Sequence, residues 1–274
     1  MLTQRSTAAT LQNWTQSYID DASVIAEVDA VVYDNVELAR AELADVGTAL
    51  EALGKTIGPR VFVPACGTGR HVYPLVQAGL TVYAADFSRE FLRRAVLRTM
   101  RMTPLPSYCV WDITKRFPHT EAFNTCLLLG GSFGYNDDAT NFKTLAVLRE
   151  SLKDDGALVL DVTDPVYARQ MAQRRPFTSE FVDTPSYGRV HDARDRFWNE
   201  ETHRMQSRKR HIQMPGGRIL LDVEYDIAIY EVEYLCEQIR AAGFSAVHVQ
   251  RASGSSDDAL GLMAGRVVIA AACG

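Results

Sequence analysis

Nothing in these 274 residues is apolar for long enough to cross a bilayer, and Met1 to Gln12 lacks the apolar stretch of a secretion signal. Cysteine is sparse. The five thiols, at 66, 109, 126, 236 and 273, are odd in number and form neither a CxxC pair nor a His/Cys cluster at zinc spacing. That argues against a disulfide-stapled fold and a structural metal, and leads us to expect a reduced, cytoplasmic setting with Cys109, Cys126 and Cys273 buried in apolar runs. Surplus positive charge is missing too. A net charge of −5 leaves no footing for non-specific nucleic-acid binding. The one basic concentration, Arg204 to Arg210, lies beside acids and reads as a solvated face. Internal repeats and long low-complexity segments are absent.

What is present is a hydrophobic content of 47%, enough to bury a large core. The stretch that organises it runs from Arg60 to His71. Val61-Phe-Val63 reads as a short buried strand, Pro64 to Gly69 turns sharply, and Val72, Leu75 and Val76 recur at helical spacing. Strand, glycine turn and helix together aim backbone N–H groups at a ligand. Alone, Gly67-x-Gly69 describes a tight turn equally well. Thr81 to Asp86 adds a second apolar strand ending on a carboxylate about twenty residues after the glycines, the place where such folds hold a ribose. Asp86 could instead cap the next helix, although Ser88 can serve as that cap.

Upstream, residues 13 to 55 carry apolar positions spaced for two or three amphipathic helices. Their polar-tipped aromatics Trp14, Tyr18 and Tyr33 suit a core, or a helix folded over a pocket. Downstream, Ser88 to Met100 is a predicted helix. Ser107 to Trp111 is a third strand ending at Asp112, which either accepts a hydrogen bond from an exocyclic amine or starts a turn with Ile113-Thr114. Phe123 to Leu129 is a fourth strand. The loop after it, Gly130-Gly-Ser-Phe-Gly-Tyr-Asn136, could wall a pocket with Phe133 and Tyr135 or pack them inward. A helix over Asp137 to Leu152 stops at Asp154-Asp155-Gly156, and Ala157 to Val162 is a fifth strand. Residues 165 to 215 turn polar. Phe197 to Ile212 and Arg218 to Ile229, joined at Gly216-Gly217, suggest an antiparallel pair. Helix Tyr230 to Ala242 and strands Phe244 to Val249 and Arg266 to Ala272 close the chain.

Alternating β and α units imply an α/β fold, a doubly wound, mostly parallel seven-stranded sheet with N-terminal helices and an inserted antiparallel lid. The expected division is a helical cap over 1–58, a core over 59–164 and 230–274, and a lid or substrate region over 165–229.

Gly67-Thr-Gly-Arg-His71, Asp86, Asp112 and Ser132-Phe-Gly-Tyr135, in this order and spacing, resemble the class I S-adenosylmethionine-dependent methyltransferases, particularly those acting on small molecules. The likeness runs from about Val61 to Asp164. It implies a Rossmann-like fold with S-adenosylmethionine as cofactor and S-adenosylhomocysteine as product. It further implies in-line methyl transfer to nitrogen or oxygen of a small-molecule acceptor, by a monomer or homodimer. Ala65, Cys66, Gly67 and Gly69 would cradle the methionine part and Asp86 would take the ribose hydroxyls. Phe87 would flank the adenine, Asp112 would accept from its amino group beside Ile113, and Gly130 would lie near the sulfonium. Tyr135, Asn136 and His71 are the candidate catalytic residues. Asp164, His191 and His203 join His71 as candidate bases.

Two positions depart from that pattern. Val63 stands where the family usually has an acid, and Ala65 where it has a first glycine, so Tyr18 or Tyr33 could hold the cofactor's amino group. Val72, where a third Gly or Ala would be wanted, argues against a nicotinamide dehydrogenase. Cyclisation of the cofactor with release of methylthioadenosine, and a non-catalytic partner subunit, are the remaining readings.

Overall fold

The computed structural model describes residues 16–253 and 265–274. Trp14 and residues 254–264 lie outside the described residues. Residues 16–20 are helical, followed by α1 (Ala22–Tyr33) and α2 (Val36–Glu51), the latter capped by Asn35. The first sheet then forms from β1 (Arg60–Pro64), β2 (Thr81–Asp86), β3 (Ser107–Val110), β4 (Phe123–Leu128) and β5 (Leu152–Thr163). It is completed by β10 (Ala246–Arg251) and β11 (Arg266–Ala272) in the order β10-β11-β5-β4-β1-β2-β3. β1 through β5 pair in parallel, which requires crossover helices. These are α3 (Val72–Gln77), α4 (Arg89–Thr99) and α5 (Asp138–Ser151), with α7 (Val232–Ala241) preceding the two antiparallel strands β10 and β11.

β1 is apolar at consecutive positions because both of its faces are covered. Phe62 packs on one side with Leu128, Leu145 and Leu158, while Val61 and Val63 pack on the other with Leu50, Leu75 and Val159. The strand order reverses between β1 and β4, and at such a switch point the crevice beyond the strand ends receives ligands.

Helix α6 (Pro165–Arg174) leads into a second sheet of β6 (Phe177–Thr184), β7 (Gly188–Asn199), β8 (Arg204–Met214) and β9 (Arg218–Ala228), all antiparallel. Four strands and a helix therefore stand where the sequence suggested one pair. The period-2 signal is hard to see because the inner face of β7 carries Asp192, Arg194 and Arg196 as well as apolar residues. Val182, Val190, Met205, Leu221 and Val223 of that face bury Val24, Ile25 and Val28 of α1. A smaller correction concerns β5, which begins at Leu152 and not Ala157. Asp154-Asp155-Gly156 lies inside it, where pairing with β4 shifts register, so the turn chemistry marks an irregularity in the strand. No helix of the described residues is long and apolar enough to cross a membrane.

Candidate active site

The core side of the site is built mainly from backbone. After β1 the chain enters the left-handed region at Ala65 (φ 49°), Gly67 (φ 55°) and Gly69 (φ 80°). Ala65 adopts a conformation that favours glycine, a local cost of about 1 kcal/mol. Asp86 clamps this turn. One carboxylate oxygen accepts from Gly67 N and the other from Ser88 N, both at 2.9 Å. Ser88 itself caps α4, its Oγ accepting from Phe91 N, so Asp86 is not the helix cap. Burial pushes the Asp86 carboxyl up to about 6 against the opposing backbone hydrogen bonds from Ser88, Gly67 and Phe87. This is a buried acid whose anionic form still gains from further donors. Gly69 serves packing, since a Cβ there would lie 2.9 Å from Ala95 Cβ of α4.

Tyr18 stacks on Phe91 with ring centroids 5.3 Å apart and lies 5.8 Å from Phe87. Asp112 Oδ1 accepts from both Thr114 N and Thr114 Oγ1, which is the turn geometry weighed for it, on an exposed side chain that also faces the crevice. Cys66 is buried, and burial raises its thiol well above the usual range, so it is no nucleophile at neutral pH. Cys126, Cys236 and Cys273 are buried as well, whereas Cys109 is only partly so.

The loop after β4 forms the floor. Gly131 N donates to Asp161 Oδ1 at 3.1 Å, and Gly134 O accepts from Ala228 N at 2.9 Å, stitching the loop to the end of β9. A Cβ on Gly134 would sit 2.5 Å from Ala228 O, so glycine is required for this approach. Arg204 donates to Gly134 O and Asn136 O and pairs with Asp226, locking the same seam from the lid. Tyr135 is stacked on Tyr225, and burial drives its hydroxyl far above the ordinary phenol range, so it stays protonated.

One cavity of about 730 Å³ gathers these parts. Tyr18, Ala65, Cys66, Gly67, His71, Asp86, Phe87, Asp112, Ile113, Gly130, Tyr135 and Asn136 all line it, while Gly69 lies behind the wall. Asp164, His191 and His203 do not line it. Asp164 caps α6 and pairs with Arg251, His191 stacks on Phe181, and His203 sits in the turn after β7.

His71 reaches the cavity but is engaged. Its Nε2 lies 2.5 Å from Glu42, which also pairs with Arg70 and Arg266, and Arg266 pairs in turn with Asp161. Burial lowers the His71 pKa, and the hydrogen bond to Glu42 opposes that shift. This buried cluster joins α2, the glycine turn, β5 and β11, which makes His71 part of the scaffold and removes it from the free bases.

The opposite wall was not foreseen. Asp29 of α1, Arg194 of β7, Lys209 of β8 and Tyr225 of β9 face the cavity. The run Arg204 to Arg210 is not one solvated face, because strand alternation divides it. Arg208 and Arg210 pair with Asp222 and Asp195 on one side, and Lys209 points inward to Asp29 at 2.7 Å. The signal was the alternation itself, once the segment is recognised as a strand.

Solved structures superpose over nearly the whole chain. The CcbJ methyltransferase of Streptomyces caelestis aligns with a TM-score of 0.64 and 15% identity, covering 90% of this chain and 96% of that one. The chain carries the fold of the class I S-adenosylmethionine-dependent methyltransferases. An S-adenosylmethionine-bound amino pentose methyltransferase from Micromonospora echinaspora shares the methyltransferase fold at a TM-score of 0.56 and 17% identity, over 100% and 99% of the two chains. In sequence, the chain is similar to the glycine/sarcosine N-methyltransferase of Halorhodospira halochloris, 30% identical over 122 residues, 41% of this chain and 42% of that protein. Its counterpart from Aphanothece halophytica is 35% identical over 104 residues, 37% and 39% respectively. The chain thus spans about two fifths of the relatives it matches. No protein-family profile matches it.

Proposed function

We propose that this chain is an S-adenosylmethionine-dependent methyltransferase that methylates nitrogen on a small molecule held beneath the antiparallel sheet. The observation that carries this reading is a single cavity shared by the glycine turn, the Asp86 carboxylate, the loop 130–136 and the inner face of the lid. The residues fit the cofactor. Space is open beside Gly67, where a Cβ would meet nothing within 4 Å, and the buried Asp86 suits a pair of hydroxyl donors. When bound, the cofactor supplies a methyl group already activated by its positive sulfur.

The protein's contribution is placement and exclusion of water. Gly67 and its neighbours hold one end, Asp86 the ribose, and Phe87, Ile113 and Asp112 the base. Gly130 and Tyr135 border the place where the two ligands meet. Nitrogen is favoured as the acceptor atom because the sequence relatives are glycine/sarcosine N-methyltransferases and one fold relative acts on an amino pentose. An uncharged amine needs no strong base to be nucleophilic, which suits a cavity whose histidine is committed to Glu42. The division into a cap over 1–58, a core over 59–164 and 230–274 and a lid over 165–229 belongs to the same proposal. Calorimetric titration with S-adenosylmethionine and with NAD tests it, followed by product analysis with labelled cofactor and an amine panel. Saturable binding of S-adenosylmethionine and formation of S-adenosylhomocysteine are expected. Binding of NAD alone, or release of methylthioadenosine without an acceptor, would overturn it.

A further inference from the structure

On the inner face of the antiparallel sheet, Arg194 of β7 stands directly across from Lys209 of β8. Like charges at opposed positions on one face destabilise a strand pair. Local rules are broken in this way mainly where function demands it. Lys209 is compensated, since its Nζ lies 2.7 Å from Asp29 Oδ1. Arg194 is not. Its Nη2 donates to the hydroxyl of Tyr33 at 3.2 Å, its buried Nε has no partner, and it forms no ion pair among the described residues. Asp192, the next carboxylate on that face of β7, stands across from His211 with its Oδ1 3.3 Å from Nε2.

A guanidinium placed like this has lost water and gained no contact ion pair, only the longer-range attraction of Asp192 two residues along β7. Its planar fork of N–H donors matches a carboxylate. Arg194 faces the cavity on the lid side, across from the loop 130–136.

We propose that Arg194 anchors a carboxylate on the methyl acceptor, so that the substrate is an amino-carboxylate with its acid against the sheet and its amine toward the loop 130–136. This rests on the methyl-transfer reading above and goes beyond it in naming the acceptor's second functional group and the residue that reads it.

The test compares acids with their own amides. Protein saturated with S-adenosylhomocysteine is titrated calorimetrically with glycine, sarcosine and 4-aminobenzoate, each against the corresponding carboxamide. At least one acid should bind tenfold or more tightly than its amide. Arg194→Met should abolish that preference, and Arg194→Lys, which keeps the charge and loses the fork, should restore part of it. Unchanged S-adenosylhomocysteine affinity in both variants verifies their fold. Amides binding as well as acids throughout would overturn the proposal, and so would an acid preference that survives Arg194→Met. If S-adenosylhomocysteine fails to bind the wild-type chain, the cofactor reading falls, and the acid–amide comparison in its absence still decides the role of Arg194.

Discussion

The two walls of the cavity are built on different principles. The core wall is backbone and one carboxylate at the ends of parallel strands. Its residues are close in sequence to the strands that position them, and its geometry is set by positive φ angles and the Asp86 clamp. The lid wall is made of long side chains on an antiparallel sheet, drawn from β7, β8, β9 and the distant helix α1. The first kind of wall suits a ligand of fixed shape. The second can change its chemistry by single substitutions without disturbing the backbone, which is why the proposed function assigns selectivity for the acceptor to it.

The largest expected effect lies where the N-terminal helices meet the core wall. Glu42 balances Arg70, Arg266 and His71, all buried. Glu42→Gln removes that charge and should lower the unfolding free energy by about 3–5 kcal/mol, read from urea denaturation. Burial alone would raise the Glu42 carboxyl, but the hydrogen bond from His71 and the charges of His71, Arg70 and Arg266 outweigh it and hold the group at about 2 against 4.5 unfolded. Its folded pKa is depressed, so its stabilisation is complete above about 4.5 and is lost as pH falls toward 2. The pH dependence of stability in that window should flatten in Glu42→Gln. An unchanged slope would show that the cluster does not hold the wall.

Asp86 comes next. Asp86→Ala removes the acceptor for two backbone donors and, on the proposed function, for the ribose, and should weaken S-adenosylhomocysteine binding by about 1.5–3 kcal/mol. Ribose hydroxyls donate to the ionised form, and burial places that ionisation at about 6. Affinity should therefore fall as pH drops below about 6 and level off above it. Calorimetry between pH 5 and 8 reads this directly, and a flat profile would remove the ribose role.

How much of each wall was legible follows from the same contrast. Arg60–His71, the acid-ended β2 and the glycine loop after β4 are local signals, because strand, turn and helix follow one another within a dozen residues. Phe87 and Ile113 were reached through the resemblance and Tyr18 through the departure from it at Val63, and all three line the cavity. His71 misled because its neighbour Glu42 is almost thirty positions away, and sequence spacing gives no sight of such a pair. Arg194 and Lys209 were missed for a related reason. Opposed positions on a sheet become visible only when register is known, and charged inward residues hide the alternation that marks the strands.

Gly134 offers a smaller perturbation at the seam between the walls. Its Cβ would press on Ala228 O, and its φ of 103° disfavours any side chain. Gly134→Ala should cost on the order of 1 kcal/mol or more, a fall in Tm of a few degrees, and should weaken acceptor binding more than cofactor binding. Equal losses for both ligands would mean that the loop belongs to the core wall alone.

The smallest effect tests the division of the basic run. Arg208 points outward from β8, and its pair with Asp222 is solvent-exposed, so Arg208→Ala should change stability by less than about 1 kcal/mol and leave ligand binding untouched. One residue along, Lys209 is buried against Asp29, and Lys209→Ala strands that carboxylate beside the cavity. Because successive side chains of a strand face opposite ways, the two variants should differ sharply in acceptor binding despite their adjacency. Similar behaviour of the two would mean that β8 does not present Lys209 to the cavity, and the charge balance around Arg194 would have to be redrawn.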